Sequence, residues 1–232
     1  MSRCSIAILA FLALTTSAGA APLSDWKFDN LQKIGGVVPK VLGHPTIVDS
    51  PIGKAVRFNG RDDALFFPQR PLVGAKTFTI EAIIHPEGGQ FQQRWMHIAE
   101  TDPKTGLDAN PTGTSDPNPR FMFELRVISY NWYLDAFVNS KAGSKTLAFP
   151  NKTHPLGPWY AVAQTYDGKT YRSYVNGVLQ GEAQTPFIPQ GPGHMMIGVR
   201  MNHVNWFKGA IAEARFTPRA LTPDEMLKVP AH

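Results

Sequence analysis

Apolar and polar residues alternate with a period of two along most of the chain. The clearest run is 121–130, where Phe121, Phe123, Leu125 and Val127 share one face and turn Glu124 and Arg126 to the other. Segment 78–84 is β-branched and aromatic and is stopped by Pro86; its core face leaves Glu81 opposite. In 94–100 an inward Ile98 puts His97 outside. An inward Val175 turns Arg172 and Tyr174 outward in 171–175, and inward Ile197 and Val199 leave Arg200 outward. Further runs lie at 56–58, 133–138, 159–166 and 210–216. Asp167-Gly168 and Asn176-Gly177 carry the signature of type I′ hairpin turns, which need positive φ angles. No helical period separates these runs, so the pattern predicts an all-β, antiparallel fold. The single helix signal is Thr222, Pro223 and Glu225, a capping box opening one turn before Pro230.

Composition narrows the class. Of 232 residues, 43% are hydrophobic and 18% charged, which excludes disorder. Two stretches break the rhythm. Residues 101–119 hold four prolines and no apolar period, and are expected to be the most mobile segment; residues 186–193 form a shorter Pro/Gly loop. Strand patterns of one kind continue across both, so residues 21–232 are expected to form one domain. Residues 1–20 read as a secretory leader: Arg3, an apolar run over 6–14, then Ala18-Gly19-Ala20 as a cleavage site. That run is shorter than the roughly 20 residues that span a bilayer. The expectation is a secreted or periplasmic protein with no transmembrane segment after cleavage. Cys4, the only cysteine, would leave with the leader; one cysteine excludes an internal disulfide and a cysteine-based zinc site. The expected mature chain carries 22 basic and 18 acidic residues without Lys/Arg clusters, which argues against nucleic acid as a partner. An exported basic chain meets acidic polysaccharide or an anionic cell surface, or uses its charge for solubility alone.

Five blocks then resemble a known family. Residues 53–63 read GKAVRFNGRDD and 78–82 read FTIEA. Residues 159–163 read WYAVA, followed by Tyr166-Asp167-Gly168. Residues 174–177 read YVNG, and 207–215 with 219–225 read FKGAIAEAR and RALTPDE. Their order is similar to that of LamG-like jelly-roll domains in the concanavalin A-like lectin/glucanase superfamily. The resemblance implies a two-sheet jelly-roll sandwich with a saccharide platform on the outer face of one sheet. It does not choose among lectins, hydrolases, lyases and adhesion modules.

Departures from the family pattern restrict the chemistry. The E-x-D-x-E run of glycoside hydrolase family 16 is absent: Glu100 and Asp102 start it, but Lys104 ends it. Calcium is common in the superfamily, and Asp62 and Asp63 are candidate ligands for a structural calcium. Shaping the turn after Gly60 is the favoured role, because no acid-dense loop supplies the remaining oxygens. Otherwise no cofactor is expected. The histidines lack H-x-H and H-E-x-x-H spacing, and no serine sits in a G-x-S-x-G elbow.

The outward residues define the candidate ligand-binding set: Glu81, His97, Glu124, Arg126, Arg172, Tyr174 and Arg200. Their gathering on one sheet is what the resemblance implies; a solvated sheet face is the plain alternative. Three functions fit. The first is a carbohydrate-binding domain for an acidic polysaccharide or cell-surface glycan, with Arg forks on carboxylate or sulfate. The second is a polysaccharide lyase for a uronate polymer, using residue types such as Arg126, Gln164, His97 and Tyr174. Phe123-Glu124-Leu125-Arg126 partly echoes the R-x-E-L-R run of such enzymes. The third is a structural or adhesion module. Trp26, Trp159 and Trp206 are expected to pack, Met195-Met196 to fill the core, and Trp132 with Tyr133 to pack rather than stack on a ligand.

Overall fold

The computed structural model describes residues 24–108 and 118–231. The leader with Cys4 and its cleavage site, and residues 109–117 of the long loop, lie outside the described residues. Sixteen strands follow in chain order: β1 (Ser24–Lys27), β2 (Lys40–Leu42), β3 (Thr46–Ser50), β4 (Gly53–Asn59), β5 (Ala64–Phe67), β6 (Phe78–Pro86), β7 (Gln92–Glu100) and β8 (Arg120–Ile128) in the first half. The second half adds β9 (Asn131–Ser140), β10 (Gly143–Ala148), β11 (His154–Pro155), β12 (Tyr160–Tyr166), β13 (Thr170–Val175), β14 (Val178–Gln184), β15 (Gly193–Ile197) and β16 (Lys208–Thr217). The only helical element among the described residues is a 3₁₀ turn at Pro223–Glu225; no helix is long and apolar enough to cross a membrane.

Two antiparallel sheets result. The first runs β14-β13-β12-β6-β16-β4-β3, with β1 beside β16; the second runs β10-β9-β8-β7-β15-β5-β2, with β11 beside β9. The predicted alternation closes one core between them. Phe121, Phe123 and Leu125 of β8 meet Phe78, Ile80 and Ile84 of β6 inside it. Phe78 sits at its centre, 4.9 Å from the Phe121 ring and 5.4 Å from Phe187. Burying each such side chain stabilises the fold by about 2 kcal/mol. Trp26 caps one end against Phe67, centroids 4.8 Å apart. Gly35 passes this indole at φ +56°, and a Cβ there would enter the ring, so only glycine serves.

Local structure departs from the sequence pattern in two places. Asn176 and Gly177 have φ of 50° and 74°, as a type I′ turn demands. Asp167-Gly168 does not form that turn, because Asp167 keeps negative φ. Its carboxylate instead accepts the amides of Lys169 and Thr170 at 2.9 and 2.8 Å. Val199 does not share a face with Ile197. Gly198 at φ +91° ends the strand, so Val199 packs on the outer side with Ala64 and Met196. Met196 packs there too, while Met195 enters the core.

The C-terminal segment covers the outer face of the first sheet. Leu221 and Met226 pack on Ala163 and Tyr174, and Leu227 and Val229 on Ile83, Ala210 and Ala212. Its turn is closed as predicted: the Thr222 amide donates to Glu225 Oε2 at 2.9 Å. The corresponding face of the second sheet carries no such cover from this segment.

Candidate functional site

The seven outward residues divide between the two sheets. Glu81 on β6 and Arg172 and Tyr174 on β13 belong to the first sheet; His97 on β7, Glu124 and Arg126 on β8, and Arg200 just after β15 belong to the second. A single platform holding all seven is therefore not formed. Alternation sets the side of a strand on which a residue lies, not the sheet its strand joins. The three on the first sheet have structural partners. Glu81 accepts the Leu227 amide and the Arg215 guanidinium, both at 2.7 Å, and so fastens the C-terminal segment. Arg172 pairs with Asp167 and Glu182 at 2.6 Å, and Tyr174 lies under Leu221 and Met226. Gln164, the fourth member of the lyase-type set, faces the interior between the sheets and is fully buried. The groups of that set thus lie on the two outer faces and inside the core, and no shared substrate reaches them all.

On the second sheet, three neighbouring strands assemble a charge cluster. A bulge in β7 sends Trp95 and Met96 both inward, which turns Arg94 outward opposite Glu124. Across the next pair, Glu124 stands opposite Asp135 of β9, and Arg126 opposite Tyr133. Arg126 bridges the two acids, with Nη2 2.9 Å from Glu124 and 2.6 Å from Asp135; Arg94 Nε lies 3.1 Å from Glu124. Glu124 is 2% exposed, and burial pushes its carboxyl up to about 7 against the pull of Arg94 and Arg126. Arg120 stacks over Phe137 at 4.9 Å, and Arg126 over the exposed Phe91 ring at 5.6 Å.

His97 lies beneath this cluster, fully buried. Its Nδ1 accepts the Met201 amide at 3.0 Å, so its proton sits on Nε2, which has no hydrogen-bond partner. Burial first, then the charges of Arg120, Arg200 and Arg94, drive its pKa well below the usual 6.5 and keep the ring neutral. The bond to Met201 ties the sheet to the loop after β15. That loop turns through His203 and Asn205 at φ near 60°, a conformation these residue types tolerate.

Loop and sheet together enclose a hollow of about 350 Å³. Phe66, Met196 and Met201 give it apolar walls; Lys40, Asn202, His203 and Asp108 give it polar ones. Asp108 holds His194 at 2.6 Å, and that imidazole lies 5.2 Å from the Phe66 ring. Hollow and cluster adjoin, because Met196 is the cross-strand neighbour of His97. Arg94, Asp135, Phe66, Asn202 and His203 were absent from the sequence-derived set. Alternation in β9 does reveal Asp135, whereas the β7 bulge hides Arg94.

The Asp62 and Asp63 oxygens act in the turn. Asp63 accepts the amides of His44 at 2.7 Å and Asn59 at 3.0 Å, and Asp62 accepts the Asn59 side-chain amide at 2.6 Å. Among the described residues no group of three or more His, Cys, Asp or Glu side chains is placed to hold a metal ion.

Two packed antiparallel sheets closing one core define a lectin-type jelly roll. The family model of the concanavalin A-like lectin/glucanases superfamily matches residues 59–226, and the chain belongs to that family. A comparison with curated proteins finds no significant match. Among solved structures, the chain is similar to domain 4 of an extracellular arabinanase from Geobacillus stearothermophilus, solved with arabinotriose. The TM-score is 0.60 at 21% identity, over 89% of this chain and 97% of that one. It is also similar to the binding domain of Paraclostridial Mosquitocidal Protein 1, with TM-score 0.60 and 14% identity over 88% of this chain and 50% of that one. A third is the binding domain of Botulinum Neurotoxin DC in complex with SialylT, with TM-score 0.56 and 8% identity over 87% and 49%. At these identities the likeness is one of fold.

Proposed function

We propose that this chain is an exported glycan-binding domain that holds an acidic oligosaccharide on the outer face of its second sheet. One observation carries the reading: an aromatic-walled hollow of about 350 Å³ adjoins a cluster holding Arg94, Arg120, Arg126 and Arg200. Phe66 offers a ring face to the C–H side of a sugar, and Asn202, His203 and Lys40 offer hydrogen bonds to its hydroxyls. The arginine cluster raises the potential on that face and favours a carboxylate or sulfate. Carbohydrate in the complexes of two fold relatives supports the class of ligand. The Ala18-Gly19-Ala20 leader pattern supports export to a secreted or periplasmic location, where a polysaccharide or cell-surface glycan is the partner.

Calorimetric titration with uronate oligosaccharides, and with arabinotriose as a neutral control, tests this. Binding should favour the acidic series and weaken with salt. Phe66→Ala should lose about tenfold in affinity, or ~1.4 kcal/mol. Equal affinity for neutral and acidic sugars removes the acidic assignment, and unchanged affinity in Phe66→Ala removes the hollow.

A further inference from the structure

A second cleft lies elsewhere, at the end of the first sheet. It measures about 560 Å³ and is continuous with a smaller one of about 220 Å³, because both are lined by Arg57 and Glu87. The register explains its floor. Thr46 of β3 and Arg57 of β4 lie side by side; across the buried Ala210 of β16 comes His85 of β6, and Trp159 continues the row beside His85, rings 5.0 Å apart. The cross-strand row therefore runs from an aromatic ring to the rim turns at Gly60 and Gly89. Those turns stay close to Lys208 because they are glycine: a Cβ on Gly60 would stand 2.8 Å from the lysine Cβ, at φ +77°.

Charge decides what such a groove can take. Its three carboxylates are engaged: Glu87 by the Arg57 fork at 2.7 and 2.9 Å, Asp63 by two backbone amides, and Asp49, at the Trp159 end, by Lys54 at 2.6 Å. Its remaining cations are not. Among the described residues, neither Lys208 Nζ nor the Arg61 guanidinium has an ion-pair or hydrogen-bond partner. Unused capacity in the groove is thus cationic at one end and aromatic at the other. We infer a second glycan site here, on the opposite side of the sandwich from the hollow, for a uronate or sulfated oligosaccharide. One sugar packs on Trp159, and an acidic group further along the chain pairs with Lys208 and Arg61. With two sites facing apart, one domain bridges two polysaccharide chains, and avidity on a dense glycan exceeds the affinity of either site.

Tryptophan reports the two sites separately. Trp26, Trp95 and Trp132 are buried, whereas Trp159 lines the groove and Trp206 packs beside Phe66 and Met201 at the hollow. The experiment is two-dimensional NMR of the indole N–H signals in the mature protein, titrated with oligogalacturonate, chondroitin sulfate oligosaccharide and arabinotriose. Trp159→Phe and Trp206→Phe assign the two signals. The expected result is a saturable shift of the Trp159 signal with the acidic sugars and none with arabinotriose. In Arg61→Glu/Lys208→Glu that response should weaken at least tenfold while the Trp206 response persists. A Trp159 signal that stays fixed, moves equally with arabinotriose, or responds equally in the double variant overturns the second site. Movement of Trp206 alone rejects the groove and keeps the second-sheet reading; movement of Trp159 alone does the reverse.

Discussion

Glu124 offers a direct test of the buried charge cluster through the pH dependence of stability. Burial raises its carboxyl from an ordinary 4.5 to about 7. The folded protein therefore holds a proton between those values that the unfolded chain releases. Stability from this group is fully present below pH 4.5 and is lost as pH rises through 7. Linkage gives a loss of about 2.5 kcal/mol between pH 5 and pH 8 from this residue alone. Other groups titrate in the same range, so the comparison must be with Glu124→Gln, whose amide cannot ionise. At pH 5 both parent and variant present a neutral group to Arg94, and the parent, whose carboxyl fits the site, is expected to be the more stable there. The gap between them should then close toward pH 8 by about 2.5 kcal/mol, and the variant can overtake the parent. Urea melts at pH 5, 6, 7 and 8 read this directly: with a slope near 2 kcal/mol/M, the difference in midpoints should change by about 1 M. A difference that stays constant over this range, or widens toward alkaline pH, refutes the argument, because it would mean that the Arg94 and Arg126 charges outweigh burial.

Three further outcomes follow from the geometry. Glu81→Ala removes both bonds that fasten the C-terminal segment, so it should cost about 3 kcal/mol and expose residues near Leu227 to proteolysis while glycan binding survives. Arg126→Ala leaves Asp135 and Glu124 without their shared partner; thermal unfolding should report a loss of about 3–5 kcal/mol, and an unchanged melting temperature would show that the cluster is solvated. Gly181→Ala would drive a Cβ into the Phe149 ring, and its melting temperature should fall by several degrees, whereas Gly36→Ala meets open space and should lose only the cost of its positive φ.

How far the sequence carried this picture depends on which interactions are local. Alternation in β8 identifies the inward face of Phe121, Phe123 and Leu125 and the outward face of Glu124 and Arg126, because the period of a strand is a property of the strand itself. The fold class and the closing 3₁₀ turn are legible for the same reason. Sheet membership is not. Arg172 and Tyr174 do point away from the core, but β13 pairs with β12 and β14, so they lie across the sandwich from His97. Arg94 is hidden by one extra residue in β7, a feature set by pairing with β8. The hollow gathers β2, β5, β15 and two loops from positions as distant as Lys40 and His203, and no local pattern announces it.

The place of β16 has a consequence for how the chain is made. This strand, Lys208–Thr217, is the last of the fold, yet it lies in the middle of the first sheet, paired with β6, β4 and β1. Ser24 meets Phe216 across almost the whole length of the described chain. A ribosome has therefore delivered nearly every other strand before the sheet can close, and β4, β6 and β1 must wait for their neighbour. Such distant pairing slows folding. The centre of the sheet is thus the last part to be supplied: until β16 has been made, β1, β4 and β6 have no common neighbour and the first sheet stays in separate pieces.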